Sequence, residues 1–429
     1  MSPFDSRSAR AASEPLAQGR AAAAALLWIP AGVSVVLLAY EGWTLIGSVL
    51  RPLIANPRAL QTDFHYYYDA AIRFSQDRAQ LYSRADDVIA GFAYPPPAIV
   101  PFLWLSRWPL GTALLALTIL SYLMIAVAAQ QWMKYLRAHG WTIDRTTIAA
   151  VTLIVFASGP VYMNAVFGQV NAFVLTSAVA FVRLAPVAAM EAGVVLALGA
   201  WLKIYPALLV VIGWWDRSTW KAIGWAVAAA ALVAIVLLPL VPLQAYQVFA
   251  TDVLPSRVDK TAIHITNQSL VAFLERFRFS ADLFLYWTGQ QAVPVSAIAR
   301  AVNWAFAAIM VIALAKRNAR AEIKAACLIA LIAVIAPLGW GHTYVLVLPL
   351  VMLRLIAIRH ASATVAVTVF LAASAMMIPA GRHLPIDRLP DWLENILYSR
   401  YLLATLVLMA ISSNPRLGQK TESTIIASA

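Results

Sequence analysis

Long apolar runs separated by short polar stretches dominate the chain. The first run, 26–50, is long enough at about 1.5 Å per residue to cross a bilayer, and we expect it to be retained as a membrane anchor. Eleven further runs follow, at 109–131, 146–160, 168–184, 188–202, 204–215, 221–242, 294–315, 322–337, 343–358, 361–379 and 398–412. Several are too short to span a bilayer upright, so the pattern also predicts half-helices or hairpins packed inside the protein.

This pattern predicts an all-α polytopic membrane protein with about twelve membrane elements. Its composition excludes a water-soluble domain of this size, because 62% of the 429 residues are hydrophobic and only 12% are charged. We expect one integral-membrane domain over 26–412, between a cytoplasmic polar N-terminus at 1–25 and a cytoplasmic tail at 413–429. The single cysteine, Cys327, lies in an apolar run, so no disulfide or cysteine nucleophile is expected.

The net charge of +12 bears on how the protein is oriented in the membrane and not on its partners. Lys and Arg cluster between apolar runs, as membrane orientation signals do, so nucleic acid is not an expected partner. If the N-terminus lies on the cytoplasmic side, the successive membrane crossings bring each of the basic clusters to that side as well. The three longest polar segments, 51–95, 243–293 and 380–397, then face outward from a bacterial cytoplasmic membrane.

Six short motifs converge on this outer face. They are the segments TDFHYYYDAA (62–71), FAYPPP (92–97), FGQVN (167–171), WLKIYP (201–206), HITNQSL (264–270) and GWGHT (339–343). Each alone also fits a structural role, such as an interfacial aromatic belt, a rigid turn or a helix start. Their convergence favours a functional site.

Two of the charged or titratable residues carry specific alternatives. Lys203 lies between two apolar runs, where a charge is costly unless it pairs or binds an anionic ligand. It could instead extend to the interface or pair with Glu191. His342 could be a helix-start histidine bonded to backbone, or a cation that meets a phosphate. Glu41, in the first run, is assigned no role.

The order of these motifs resembles glycosyltransferase family 87, from about residue 27 to about residue 410. The resemblance rests on Asp63, Tyr94-Pro95-Pro96, Gly168-Gln169-Val170-Asn171, Gly193 with Lys203 and Pro206, Asn267-Gln268-Ser269, and Pro337 with Trp340 and His342. Members look like polyprenol-phosphate-mannose-dependent α-mannosyltransferases of the GT-C fold. One departure is that Gly339 and Thr343 stand where many relatives carry Ser and a second His.

The resemblance implies an enzyme that transfers a sugar, with mannose the first candidate, from a polyprenyl phosphate to a glycolipid or glycan acceptor. It implies inversion at the anomeric carbon and an aspartate base in the first outer loop. Asp63 matches that position better than Asp69. The remaining candidate residues for substrate binding are Lys203, His342, Gln169, Asn171, Asn267, Gln268, Tyr94, Trp340 and Tyr67.

The chemistry of inverting transfer asks for the same residue types. One carboxylate removes the proton of the acceptor hydroxyl, while fixed cationic or N–H donors stabilise the departing phosphate. No Asp-x-Asp pair occurs in the first outer loop, so we expect no metal ion and no other cofactor.

Two other functions remain open at this point. A transporter or flippase for a polyprenyl-linked sugar could carry the same polar residues, although transporters usually show internal repeats and midplane sites. Nothing in the residues excludes a GT-C enzyme that transfers another glycosyl group, such as an oligosaccharide or aminoarabinose.

Overall fold

A computed structural model describes most of the chain. The described residues are 27–44, 47, 62–83, 91–286, 291–358, 361–380, 382 and 389–412. The predicted polar N-terminus at 1–25 and the predicted tail at 413–429 lie outside this part of the chain.

The described residues are almost entirely helical. The α-helices are Leu27–Thr44, Phe64–Gln76, Ile99–Leu105, Leu110–Ala138, Arg145–Phe156, Gly159–Val166, Asn171–Leu184, Ala189–Leu202, Trp220–Leu237, Leu243–Val248, Leu254–Asp259, Leu270–Arg276, Ala281–Leu285, Ala297–Lys316, Ala321–Ile335, Leu348–Ala357, Ala363–Ala375, Asp391–Tyr398 and Arg400–Ser412. Shorter 3₁₀ or π turns cover Arg78–Tyr82, Pro96–Ala98, Tyr205–Trp214, Arg217–Thr219, Phe249–Val253 and Gly341–Val347. Two short strands, Lys260–Ala262 and Ala292–Pro294, pair antiparallel with Thr261 opposite Val293.

The lengths of the apolar helices confirm an all-α membrane protein. Among the described residues, four helices are long and apolar enough to cross a bilayer, or up to six if each of two bent helix pairs counts as one span. Six shorter apolar helices accompany them, as the short runs predicted. The number of about twelve membrane elements stays a prediction.

The helices divide into a buried centre and an exposed periphery. Ala321–Ile335 is buried on nearly its whole surface, and Leu348–Ala357 packs beside it in the same hydrophobic cluster. Trp220–Leu237 and Ala297–Lys316 instead expose large apolar side chains such as Val227 and Ile309. Exposed apolar surface of this extent fits helices that face lipid.

A second hydrophobic cluster supports the first polar loop. Phe64, Tyr67 and Phe74 lie on one face of the helix Phe64–Gln76 and pack with Phe102 and Leu114. Residues i, i+3 and i+4 of a helix share a face, and this spacing brings the three aromatic side chains to the core. The start of that helix is therefore held firmly against the membrane helices.

Candidate functional site

Asp63 lies at the N-terminal end of the helix Phe64–Gln76. Aspartate at this position often caps its own helix, but the Asp63 side chain makes no capping hydrogen bond. Its Oδ2 atom instead accepts hydrogen bonds from Gln169 Nε2 (2.5 Å) and lies 3.3 Å from His342 Nε2. The carboxylate thus contacts two other elements rather than its own helix.

A glycine turn holds these elements together. Gly168 has a φ of +62°, a conformation that L side chains rarely adopt. A Cβ atom added there would lie 2.7 Å from the Cβ of Phe64 and 2.6 Å from a methyl group of Leu114. The Phe64 N–H also donates to the Phe167 carbonyl over 3.1 Å. Glycine therefore permits the close approach that places Asp63 beside Gln169.

Lys203 lies where the helix Ala189–Leu202 ends. Its extended backbone stops the helix, and its side chain is buried. The Nζ atom donates to Asn171 Oδ1 (2.8 Å) and Gln169 Oε1 (3.2 Å) and lies 5.2 Å from the centre of the Tyr94 ring. The alternative in which Lys203 extends to the interface or pairs with Glu191 is wrong.

His342 lies at the start of the 3₁₀ turn Gly341–Val347 and is buried. Its Nδ1 atom lies 2.8 Å from Asn171 Nδ2, and its Nε2 atom faces Asp63. The imidazole bridges two side chains instead of bonding to the backbone, and its contact with a phosphate stays a prediction.

These contacts close into a cycle that we call the Lys203 ring. Its members are Asp63, Gln169, Lys203, Asn171 and His342. All except Asp63 are buried, and the Asp63 side chain keeps 31% of its surface exposed. The ring therefore presents one carboxylate at its open edge.

Lysine fixes the orientation of every group in the ring. An ammonium only donates, so Asn171 must turn its oxygen to Lys203 and its NH₂ group to His342. His342 Nδ1 then accepts, which assigns the proton of a neutral imidazole to Nε2, facing Asp63. By the same reasoning Gln169 turns its NH₂ group to the carboxylate. Two N–H donors thus meet on Oδ2.

Two tyrosines extend the ring. Tyr67 donates its hydroxyl proton to Gln169 Oε1 over 2.9 Å, so the hydrogen bond between Tyr67 and Tyr94 must use the proton of Tyr94. Burial, with nearby Asp63 and the other phenol, raises the pKa of Tyr67, and burial raises that of Tyr94. Both phenols therefore stay protonated and act as donors.

The structure does not bring three predicted residues into the ring. Asn267 Nδ2 donates to the carbonyls of Ala262 and Pro337, and Gln268 Nε2 donates to those of Ile265 and Tyr398. Trp340 forms a backbone bridge with Asn267. These residues hold the loops behind His342, since Gln268 N–H donates to Gly339 and Gly341 N–H donates to Thr266.

The departure at Gly339 has a steric cause. A Cβ atom there would lie 2.6 Å from the Ala333 carbonyl and 3.0 Å from the Ser269 Cβ atom. This chain therefore has no room for serine at that position without a shift of the backbone.

Sequence reasoning missed Arg276, which is fully buried. Its guanidinium donates to Asn395 Oδ1, Ser399 Oγ and the Asn267 carbonyl. Arg276 follows the apolar stretch 270–274 and stands close to Glu275 and Arg278, so the local sequence did not distinguish it from an exposed charge. Arg276 thus fixes the loop that supports His342.

Among the residues that the structure describes, no three His, Cys, Asp or Glu side chains group as metal ligands would. The absence of a required metal ion stays a prediction.

Comparison with known proteins assigns the family. The model of glycosyltransferase family 87 matches residues 92–337, more than half of the chain. The chain belongs to glycosyltransferase family 87. The match includes Tyr94, Gln169, Asn171 and Lys203, whereas Asp63 and His342 lie outside it. The family and the apolar helices together identify a membrane glycosyltransferase.

A curated relative covers most of the chain. It is the polyprenol-phosphate-mannose-dependent alpha-(1-2)-phosphatidylinositol mannoside mannosyltransferase of Mycobacterium tuberculosis, which is 25% identical over 406 residues. The alignment spans 88% of this chain and 86% of that protein. The likeness to this mannosyltransferase therefore extends beyond the segment that the family model matches.

Proposed function

We propose that this family 87 enzyme transfers mannose from a polyprenyl phosphate to a glycolipid or glycan acceptor, with inversion at the anomeric carbon. The dependence of the mycobacterial relative on polyprenol-phosphate-mannose supports this donor. The Lys203 ring carries the proposal, because it holds one half-exposed carboxylate beside a buried cation.

Asp63 acts as the base in this proposal. Both of its ring contacts fall on Oδ2, and within the described part of the chain Oδ1 receives no hydrogen bond. Oδ1 is therefore available to an acceptor hydroxyl. Asp69, six residues further along the helix, makes none of the ring's hydrogen bonds.

The reaction balances with these groups alone. Asp63 takes the hydroxyl proton as the acceptor oxygen bonds to the anomeric carbon from the face opposite the phosphate. The bond between that carbon and the phosphate oxygen breaks, and its electron pair leaves with the polyprenyl phosphate. One carboxylate and one stabilised leaving group suffice for such an inverting displacement.

Lys203 supplies the charge for the leaving phosphate. Its ammonium has three N–H groups, and described side chains accept from two directions only, at Gln169 and Asn171. The remaining N–H can meet a phosphate oxygen. A buried ammonium stabilises a developing negative charge more strongly than an ammonium in water does.

An apolar groove along the 3₁₀ turn that follows Lys203 in the chain suits the lipid part of the donor. It has a volume of about 280 Å³ and is lined by Leu208, Val211 and Trp214 of the 3₁₀ turn Tyr205–Trp214, and by the helices Ala297–Lys316 and Ala321–Ile335. Leu208, in this turn, follows Lys203 by five residues. In this proposal the donor's phosphate meets Lys203 and its isoprenoid chain lies in the groove.

The test is transfer by the purified protein. Polyprenyl-phosphate mannose incubated with the protein and membrane lipid extracts should yield a mannosylated product, whose anomeric configuration by NMR should be opposite to that of the donor. Retention of configuration would contradict the inverting mechanism. Translocation of the lipid-linked sugar in vesicles without sugar transfer would contradict the proposal that this protein transfers mannose.

The outward orientation of the site has its own test. Cysteines at Ser83 and Ser256, in a Cys327→Ala background, should react with an impermeant thiol reagent in intact spheroplasts, because the basic clusters lie on the other side. Cysteines at Arg137 and Lys221 provide the control on the cytoplasmic side. Labelling of the control pair alone would contradict the predicted orientation and indicate the opposite one.

A further inference from the structure

A sharp bend joins the last two described helices. Asp391–Tyr398 meets Arg400–Ser412 at 63°. The longer helix is apolar and continues into the protein, so the shorter one lies across the end of a membrane segment.

The short helix has the surface of an element at the membrane boundary. Its apolar Trp392 and Leu397 are 55% and 36% exposed, whereas Glu394 and Asn395 are buried. Exposed tryptophan and leucine on a helix that runs along the membrane contact lipid at the level of the head groups.

Arg400 lies at the bend with most of its donors unused. The residue is only 9% exposed, and its Nη2 atom donates to the Pro379 carbonyl. Nε and Nη1 have no hydrogen-bond partner, and no carboxylate in the described ranges lies within 4.0 Å of the guanidinium. The Arg400 guanidinium lies 6.0 Å from the centre of the Tyr401 ring, and the three N–H groups on Nε and Nη1 have no hydrogen-bond acceptor.

Arg276 shows that the fold can satisfy a buried guanidinium without an anion. All three of its nitrogens donate to oxygens of the protein. The unused donors of Arg400 therefore require a separate cause.

The same bend lies close to the Lys203 ring. Pro379 accepts from Arg400, and the next residue, Ala380, donates its N–H to the sulfur of Met163. A Cβ atom on Gly341 would lie 2.8 Å from the Ala380 Cβ atom. Arg400 is thus on the same side of the membrane as His342.

We propose that Arg400 binds the phosphodiester of an anionic membrane lipid at this boundary. A phosphate offers several acceptor oxygens to the three free N–H groups, and charge-assisted bonds to guanidinium are strong and directional. Because Nε and Nη1 are buried, the phosphate inserts between the bend and the 378–380 segment instead of lying on the surface. The site requires neither the transfer reaction nor the donor.

The test measures lipid binding by the full chain in an uncharged detergent. Dioctanoyl phosphatidylglycerol should bind to the delipidated wild type, and Arg400→Gln should weaken its Kd at least about tenfold, the scale of a lost charge-assisted contact. Arg400→Lys keeps the charge but loses the planar group, so its Kd should rise at least about threefold. Arg300→Gln, which removes a cation paired with Asp259, is the matched control and should bind like wild type.

Three results would overturn the proposal. Equal binding of dioctanoylglycerol would mean that only the acyl chains are recognised. Displacement by inorganic phosphate at equal concentration would indicate a site for free phosphate. Unchanged binding by Arg400→Gln, or by Arg400→Lys if the glutamine variant does not fold, would remove Arg400 from lipid binding.

Discussion

Two buried cations organise two polar networks in this protein, and they are built differently. Lys203 is bonded to the side-chain amides of Gln169 and Asn171, which lead to the half-exposed Asp63. Arg276 is bonded to neutral oxygens of Asn395, Ser399 and the main chain, all of them buried. The first network ends at an accessible carboxylate, and the second is closed within the protein.

The difference indicates that the Lys203 network can take part in chemistry, whereas the Arg276 network supports the fold. A closed network that satisfies every donor stabilises one arrangement of loops. A network with an open carboxylate and an ammonium with spare N–H capacity can exchange a proton and bind an anion. Substitutions in the two networks should therefore affect different measured quantities.

The largest effect on turnover outside Asp63 is expected at Lys203. Lys203→Met removes the charge and the donor that orients both amides, so transfer should fall about a hundredfold and donor binding should weaken. Lys203→Arg should retain part of both. Initial rates and donor Kd measure this, with the exposed Lys221→Met as control. Normal donor Kd and transfer rate in the methionine variant would show that Lys203, like Arg276, has a structural role only.

A smaller effect is expected at Gly168. Gly168→Ala forces a Cβ atom against Phe64 and should lower turnover about tenfold by shifting Asp63 from Gln169. Gly140→Ala is the matched control, because Gly140 also has positive φ (+83°) but nothing within 4 Å. Equal turnover in the two variants would show that the close approach does not position Asp63.

The smallest effect on turnover is expected at Gln268, which neighbours the closed network. Gln268→Leu leaves the Tyr401 N–H and two carbonyls unpaired, which should lower the free energy of unfolding by at least about 1 kcal/mol. The folded variant should keep its kcat within about threefold. Thermal unfolding and initial rates measure both, with the exposed Gln80→Leu as control. A stable variant without turnover would instead move Gln268 into the site.

Much of the fold followed from apolar periodicity. The runs 109–131 and 294–315 predicted the helices Leu110–Ala138 and Ala297–Lys316, because a membrane-length apolar segment satisfies its backbone best as a helix. The short run 204–215 forms a 3₁₀ turn, which hydropathy does not distinguish from an α-helix. The β-ribbon in the 243–293 segment was not predicted, since it depends on pairing between residues about thirty positions apart.

The site was predictable in its residues but not in its bonding. A lysine between apolar runs and a Gly-Gln-x-Asn turn are local signals, and both lie in the Lys203 ring. The tautomer of His342 depends on an amide that Lys203 orients, a contact that only the folded chain provides. Asn267-Gln268 shares the polar composition of the site motifs, so its place beside Arg276 could not be read from composition.

The base assignment is tested most directly by Asp63→Asn beside Asp69→Asn. The asparagine at 63 keeps the size of the side chain but cannot take the proton, so transfer should fall at least about a hundredfold while donor Kd stays close to wild type. Asp69→Asn should retain most of its activity. Full transfer by Asp63→Asn, or loss confined to Asp69→Asn, would contradict the claim that the Lys203 ring presents the catalytic base.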